Sequence, residues 1–201
     1  MKCESNFLNR QKIVELLGTE ELLCQLAEEC VELAQAVDIL QQLRNYDLRK
    51  IRVENDFTKQ LAEAKAECEE ELADVELLIA MVMASIGITA TETDFINRIA
   101  NSERTARKDK LNEANIVDLR INCLKVSKNA LKLRRALTKK NPTPISFESA
   151  RMDLIYNAAI LQGNMTFLTE YFGFENIYDV QEMKTKRWIG RLQGSDVNEQ
   201  E

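Results

Sequence analysis

Thr19-Glu-Glu-Leu22-Leu23-Cys-Gln-Leu26-Ala-Glu28-Glu29-Cys30-Val-Glu32-Leu33 carries apolar residues at the spacing of one helix face. Thr19 is a favourable residue to open such a helix, which is expected to continue to about Asn45. Residues three or four positions apart share a face, so Glu29 and Glu32 project together. A second helical stretch, Glu70-Glu71-Leu-Ala-Asp74-Val75, repeats the device with Glu71 and Asp74. Two such helices side by side gather four carboxylates in one pocket. Like charges brought together out of water repel unless a cation compensates them. Oxygen ligands without histidine suit a hard cation, magnesium first and manganese as an alternative.

The rest of the composition agrees with an all-α fold. The chain has 201 residues, 45% of them hydrophobic, with only 2 prolines and 6 glycines. Long helices are therefore allowed almost everywhere, and alternating β-type runs are scarce. Histidine is absent, which excludes Ser-His-Asp triads, zinc-histidine hydrolases and Glu-x-x-His di-iron bundles. The net charge of -6 argues against generic nucleic-acid binding. The five cysteines (Cys3, Cys24, Cys30, Cys68, Cys123) form no Cys-x-x-Cys pair and are expected as reduced thiols of a cytoplasmic protein. Nothing resembles a signal peptide, and the apolar run Leu77–Ile88 is too short for a membrane span.

Seven helices are expected. The first covers about Asn6 to Leu17 and stops at Gly18, and the long helix from Thr19 follows. After a charged segment from Tyr46 to Asp56, another long helix covers about Phe57 to Ser85 and stops at Gly87. Thr91 or Thr93 caps a shorter helix to about Lys110, and residues 112–115 form a junction. Further helices are expected at about Ile116–Lys139, from the Ser146 cap to Phe172, and at Asn176–Leu192. Asn141-Pro-Thr-Pro144 and Gly173 separate these three, and a disordered tail occupies 194–201. The order long helix, long helix, glycine turn, shorter helix occurs twice. Ile86-Gly87-Ile88 aligns with Phe172-Gly173-Phe174, which suggests an internal duplication.

The first half, about residues 6 to 111, resembles the MazG-like, all-α nucleoside triphosphate pyrophosphohydrolases. Leu26-Ala-Glu-Glu-Cys-Val-Glu-Leu33 is similar to their Glu-Glu-x-x-Glu helix, and Glu70-Glu71-Leu-Ala-Asp74-Val75 to their Glu-x-x-Asp helix. The segment from Asn9 to Thr19 is similar to their lead-in. The spacer between the acidic motifs is longer than in compact members. The resemblance implies magnesium-dependent cleavage of a nucleoside triphosphate between its α and β phosphates, giving the monophosphate and pyrophosphate. By motif match, Glu29, Glu32, Glu71 and Asp74 are the metal ligands. Glu28 and Glu29 are the candidates to position or deprotonate the attacking water, with binding of a second metal as the alternative role for Glu28. The family's third helix holds phosphates with a Lys-x-x-Arg-x-x-x-Arg pattern. Asn101, Arg104 and Lys108 stand at those places here, with Asn101 where lysine is common.

The second half departs from this pattern. Under the duplication, Glu71 falls on Asn157 and Asp74 on Ile160, while Glu29 and Glu32 fall near Lys125 and Lys128. Yet Lys184-Thr-Lys-Arg187-Trp-Ile-Gly-Arg191 keeps the basic pattern in full. The expected organisation is therefore a catalytic repeat over 1–111 and a degenerate repeat over 112–193, joined as a pseudo-dimeric bundle. Such a chain is either a pseudo-dimeric monomer or part of a homo-oligomer. The second half is expected to lend Lys125, Lys128, Lys184 or Arg187 to the surviving acidic site. Trp188, Tyr171, Phe172, Phe174, Met81, Met83 and Phe95 read most simply as core. Two other functions fit the same residues: a dUTP- or dCTP-preferring all-α hydrolase, and a non-catalytic nucleotide-binding or scaffold protein.

Overall fold

The computed structural model describes residues 2–44, 54–108, 114–139 and 145–194. The regular structure among them is entirely α-helical: α1 Lys2–Arg44, α2 Glu54–Ser85, α3 Ala90–Lys108, α4 Ala114–Leu137, α5 Phe147–Phe172 and α6 Ile177–Leu192. The expected segment 46–56 falls outside the described residues as far as Val53 and is helical from Glu54. The junction at 112–115 is likewise helical from Ala114. Asn141-Pro-Thr-Pro144 and the tail beyond Gly194 lie outside the described residues.

One boundary follows the sequence reading and one differs from it. Gly18 breaks α1 as expected: its φ of 73° and ψ of 165°, a conformation that only glycine adopts without strain, are non-helical, so two helical segments meet there at a kink. The Thr19 hydroxyl next to it reaches the Ser85 carbonyl at 3.5 Å, tying the kink to the far end of α2. Thr89, rather than Thr91 or Thr93, caps α3. Its hydroxyl accepts from the Glu92 amide (3.3 Å), and its own amide donates to the Glu92 carboxylate (2.9 Å), a reciprocal capping box. The cap at Ser146 is as expected: its hydroxyl accepts from the Ser149 amide at 3.1 Å. Gly173 closes α5 in the left-handed conformation.

The helices form two hairpins, α1 with α2 and α4 with α5. α1 lies antiparallel against α4, because Glu20 pairs with Arg134, the Ala27 carbonyl with the Ser127 hydroxyl, and Asp38 with Arg120. The shared core is built from Leu22, Leu26, Leu33 and Val37 of α1, Leu72, Val75 and Leu78 of α2, and matching residues of α4 and α5. Leu77, Leu78, Ile79, Met81 and Val82 are buried in it. No helix among the described residues is long and apolar enough to cross a membrane.

The third helix of each half crosses over. α3 packs on α5, and α6 packs on α1 and α2. Polar contacts fix both choices. Gly163 of α5 lets α3 approach so closely that a β-carbon there would lie 2.4 Å from the Ala100 carbonyl oxygen. Arg151 of α5 binds both Glu92 oxygens (2.6 and 2.9 Å) and the carbonyls of Ile86 and Gly87. On the other side, buried Gln181 of α6 accepts from Arg10 of α1 (2.9 Å) and donates to Glu76 of α2 (3.1 Å). Glu69 of α2 accepts from the Asn176 amide at the start of α6 (2.6 Å). Buried polar groups rarely go unpaired, so these partners discriminate between one seat for a helix and another.

Candidate metal centre

Helical spacing within α1 and α2, and the pairing of those helices, bring Glu29, Glu71 and Asp74 together. One carboxylate oxygen from each lies within 4.8 Å of the other two. Asp74 is buried and the two glutamates are half-buried. Crowding three acids out of water shows in their protonation. Burial, then the charges of Asp74, Glu32 and Glu71, push Glu29 up to about 8. Glu71 is raised by burial and by Asp74 and Glu32. Asp74 is raised by burial, with Lys184 opposing. Glu71 Oε2 is buried without a hydrogen-bond partner.

Glu32 is exposed at the rim and acts on Glu29 and Glu71 through its charge. Glu28 is exposed too, and its influence falls on Cys24 instead. The thiols nearby are inert by burial: that of Cys68 is pushed up to about 12, and those of Cys30 and Cys123 are also raised.

The cations at this cluster come from α6. Lys184 is buried and donates to Asp74, with Glu70 at 3.0 Å. Burial disfavours its charge, but its bonds to Asp74 and Glu70 outweigh that and raise it. Arg187 acts on Asp74 through its charge, and its Nε is buried without a partner. The other candidate cations stand elsewhere. Arg104 of α3 pairs with Glu170 of α5. Asn101 is exposed on the same helix, and Lys108 ends it. Lys125 bonds Asn122 within α4 (3.3 Å), and Lys128 is exposed. Glu70, which completes the Lys184 contact, is not singled out by the sequence reading. Its spacing of four from Asp74 is the signal that could have found it.

The donor set fits a hard divalent ion. It offers carboxylate oxygens only, one of them orphaned and buried, and its acids are pushed towards protonation by burial and mutual repulsion, with Lys184 and Arg187 opposing at Asp74. Comparison of the chain with protein-family models, with characterised proteins and with solved structures finds no match. The chemistry of the site therefore carries its interpretation.

Proposed function

We propose that the protein is a magnesium-dependent nucleoside triphosphate pyrophosphohydrolase of the MazG-like kind, releasing the monophosphate and pyrophosphate. The observation that carries this reading is the meeting of Glu29, Glu71 and Asp74 with the basic row of α6. A carboxylate trio beside buried cations suits a substrate that arrives as a metal-bound polyphosphate.

Glu29, Glu71 and Asp74 would hold the ion, with Glu32 at the rim. Bound there, magnesium would neutralise phosphate charge and lower the pKa of water. The chain's own groups do the rest. Arg187 presents an unpaired Nε, a donor suited to a phosphate oxygen. Of the two carboxylates offered for the water proton, Glu29 is in the cluster and Glu28 is outside it, so proton transfer is assigned to a Glu29 oxygen. Hydrolysis adds water across the bond between the α-phosphorus and its bridging oxygen, and pyrophosphate leaves.

The same reading makes the chain a tandem of two three-helix units closed as a pseudo-dimer, the second without acids at the aligned motif positions. The exchange of α3 and α6 between hairpins supports it, since it completes each hairpin with the other half's third helix. Incubation with a panel of ribo- and deoxynucleoside triphosphates, with magnesium or with EDTA, tests the function by anion-exchange analysis of products. Magnesium-dependent monophosphate plus pyrophosphate is the expected outcome. Nucleotide binding without product would make the protein a sensor, and no response to either would leave a helical scaffold.

A further inference from the structure

Lys184 does more in this arrangement than wait for substrate. Its ammonium lies between Asp74 and Glu70, and its side chain is 7% exposed. α6 is fastened twice on the N-terminal side of it, by Glu69 at Asn176 and by the Arg10–Gln181–Glu76 chain. The ammonium is therefore held among the carboxylates by the seat of its helix. Lys184 takes up the flank of the cluster formed by Asp74 and Glu70, while Glu29, Glu71 and Asp74 lie close enough together to ligate one ion. Glu71 Oε2, buried without a partner, is available to that ion.

We propose that Lys184 is a tethered cation occupying the place a second metal ion would take, so that the centre accepts a single divalent ion. This rests on the metal-centre reading above and adds the stoichiometry and its cause. The second half of the chain, having no acids of its own at the aligned positions, thereby sets how many ions the first half holds. A single ion with a fixed ammonium has a consequence for chemistry: one flank of the bound phosphates meets a donor that cannot be removed by chelation.

The test is titration with Mn2+, following free ion by electron paramagnetic resonance, on the full chain as wild type, Lys184→Met and Lys184→Arg. The wild type is expected to bind one ion per chain. Lys184→Met is expected to bind two, the first about tenfold more tightly or better, because a cation in contact with a ligand has been removed. Lys184→Arg keeps the charge and is expected to retain wild-type stoichiometry. If Lys184→Met is unfolded in EDTA, recovery of its helical circular dichroism on adding Mn2+ supports the proposal, and failure to recover overturns it. Equal stoichiometry and affinity in wild type and Lys184→Met overturn it while leaving the metal centre intact, as does a wild type that binds two ions. Absence of Mn2+ binding in all three proteins overturns the metal-centre reading and this proposal together.

Discussion

Lys184 of α6 and Asp74 of α2, 110 positions apart, form a buried ion pair at the edge of a carboxylate cluster. The pair joins the half of the chain that carries the cluster to the half that carries its cations. Because Lys184 also contacts Glu70, neutralising Asp74 does not strand it, and Asp74→Asn is expected to fold. Asp74→Asn and Glu29→Gln should each reduce magnesium-dependent turnover by more than the 10–100-fold that is about typical of outer-shell changes. Product analysis beside far-UV circular dichroism checks this. Wild-type turnover in both variants would remove the metal assignment.

Glu29 makes the metal-free protein sensitive to pH in a stated direction. An unfolded glutamate titrates near 4.5, whereas in the fold Glu29 titrates near 8. Between those values the folded state holds a proton that the unfolded state has lost, so stability falls as pH rises through the window. Glu29→Gln has no such proton. In EDTA the wild-type Tm should therefore decline more steeply across this window than that of Glu29→Gln, leaving the variant the more stable above pH 8. Parallel Tm profiles for the two proteins would show that the cluster is not crowded as described.

The acidic centre was legible in the sequence because its logic is local. Spacings of three along α1 and α2 place Glu29 with Glu32, and Glu71 with Asp74, whatever the rest of the chain does. Lys184 and Arg187 were also legible as candidates, through an intact basic pattern. Which third helix serves the acids was not. Arg104 and Lys184 sit in comparable patterns, and the choice between α3 and α6 is made by Gln181, Glu76, Arg10 and Glu69 on one side and by Gly163 on the other. Those pairings span more than 60 positions, and helical periodicity carries no signal for them. The break at Gly18 was legible because glycine alone takes that non-helical conformation without strain; the angle at which the chain continues, tied by Thr19 to the Ser85 carbonyl, was not.

That choice between third helices gives a paired prediction. Arg187→Gln should raise KM for the nucleotide about tenfold, the loss of one charge-assisted contact, with Mn2+ binding little changed. Arg104→Gln should leave both nearly unchanged, since Arg104 is engaged by Glu170 of α5. Steady-state kinetics on the two variants decides the matter. The reverse pattern would return the phosphate site to α3.

Arg151 and Glu92 supply a second pH response, of opposite sign. Bonds from Arg151, then from the Thr89 amide, hold the Glu92 carboxyl down to about 2. The stabilisation is fully present above the ordinary glutamate range and is lost as pH falls from about 4.5 towards 2. Glu92→Gln should unfold more readily at neutral pH and show a shallower loss across that acid window, read by thermal melts. An unaltered acid slope would mean that Arg151 seats α3 through the Ile86 and Gly87 carbonyls alone.

Gly163 offers the sharpest test of where α3 lies. On an isolated helix, glycine to alanine stabilises by about 1 kcal/mol. Here the added β-carbon would meet the Ala100 carbonyl oxygen at 2.4 Å and the Glu103 β-carbon at 2.8 Å. Both belong to α3, and the first is backbone that cannot rotate away. Gly163→Ala should therefore destabilise the protein by about 1–3 kcal/mol, the usual cost of overpacking, measured by urea unfolding. The carboxylate cluster lies on α1 and α2 with its cations on α6, so turnover below the unfolding transition should survive. A stabilised variant would mean that α3 stands off α5, and the crossed seating of the two third helices would fall with it.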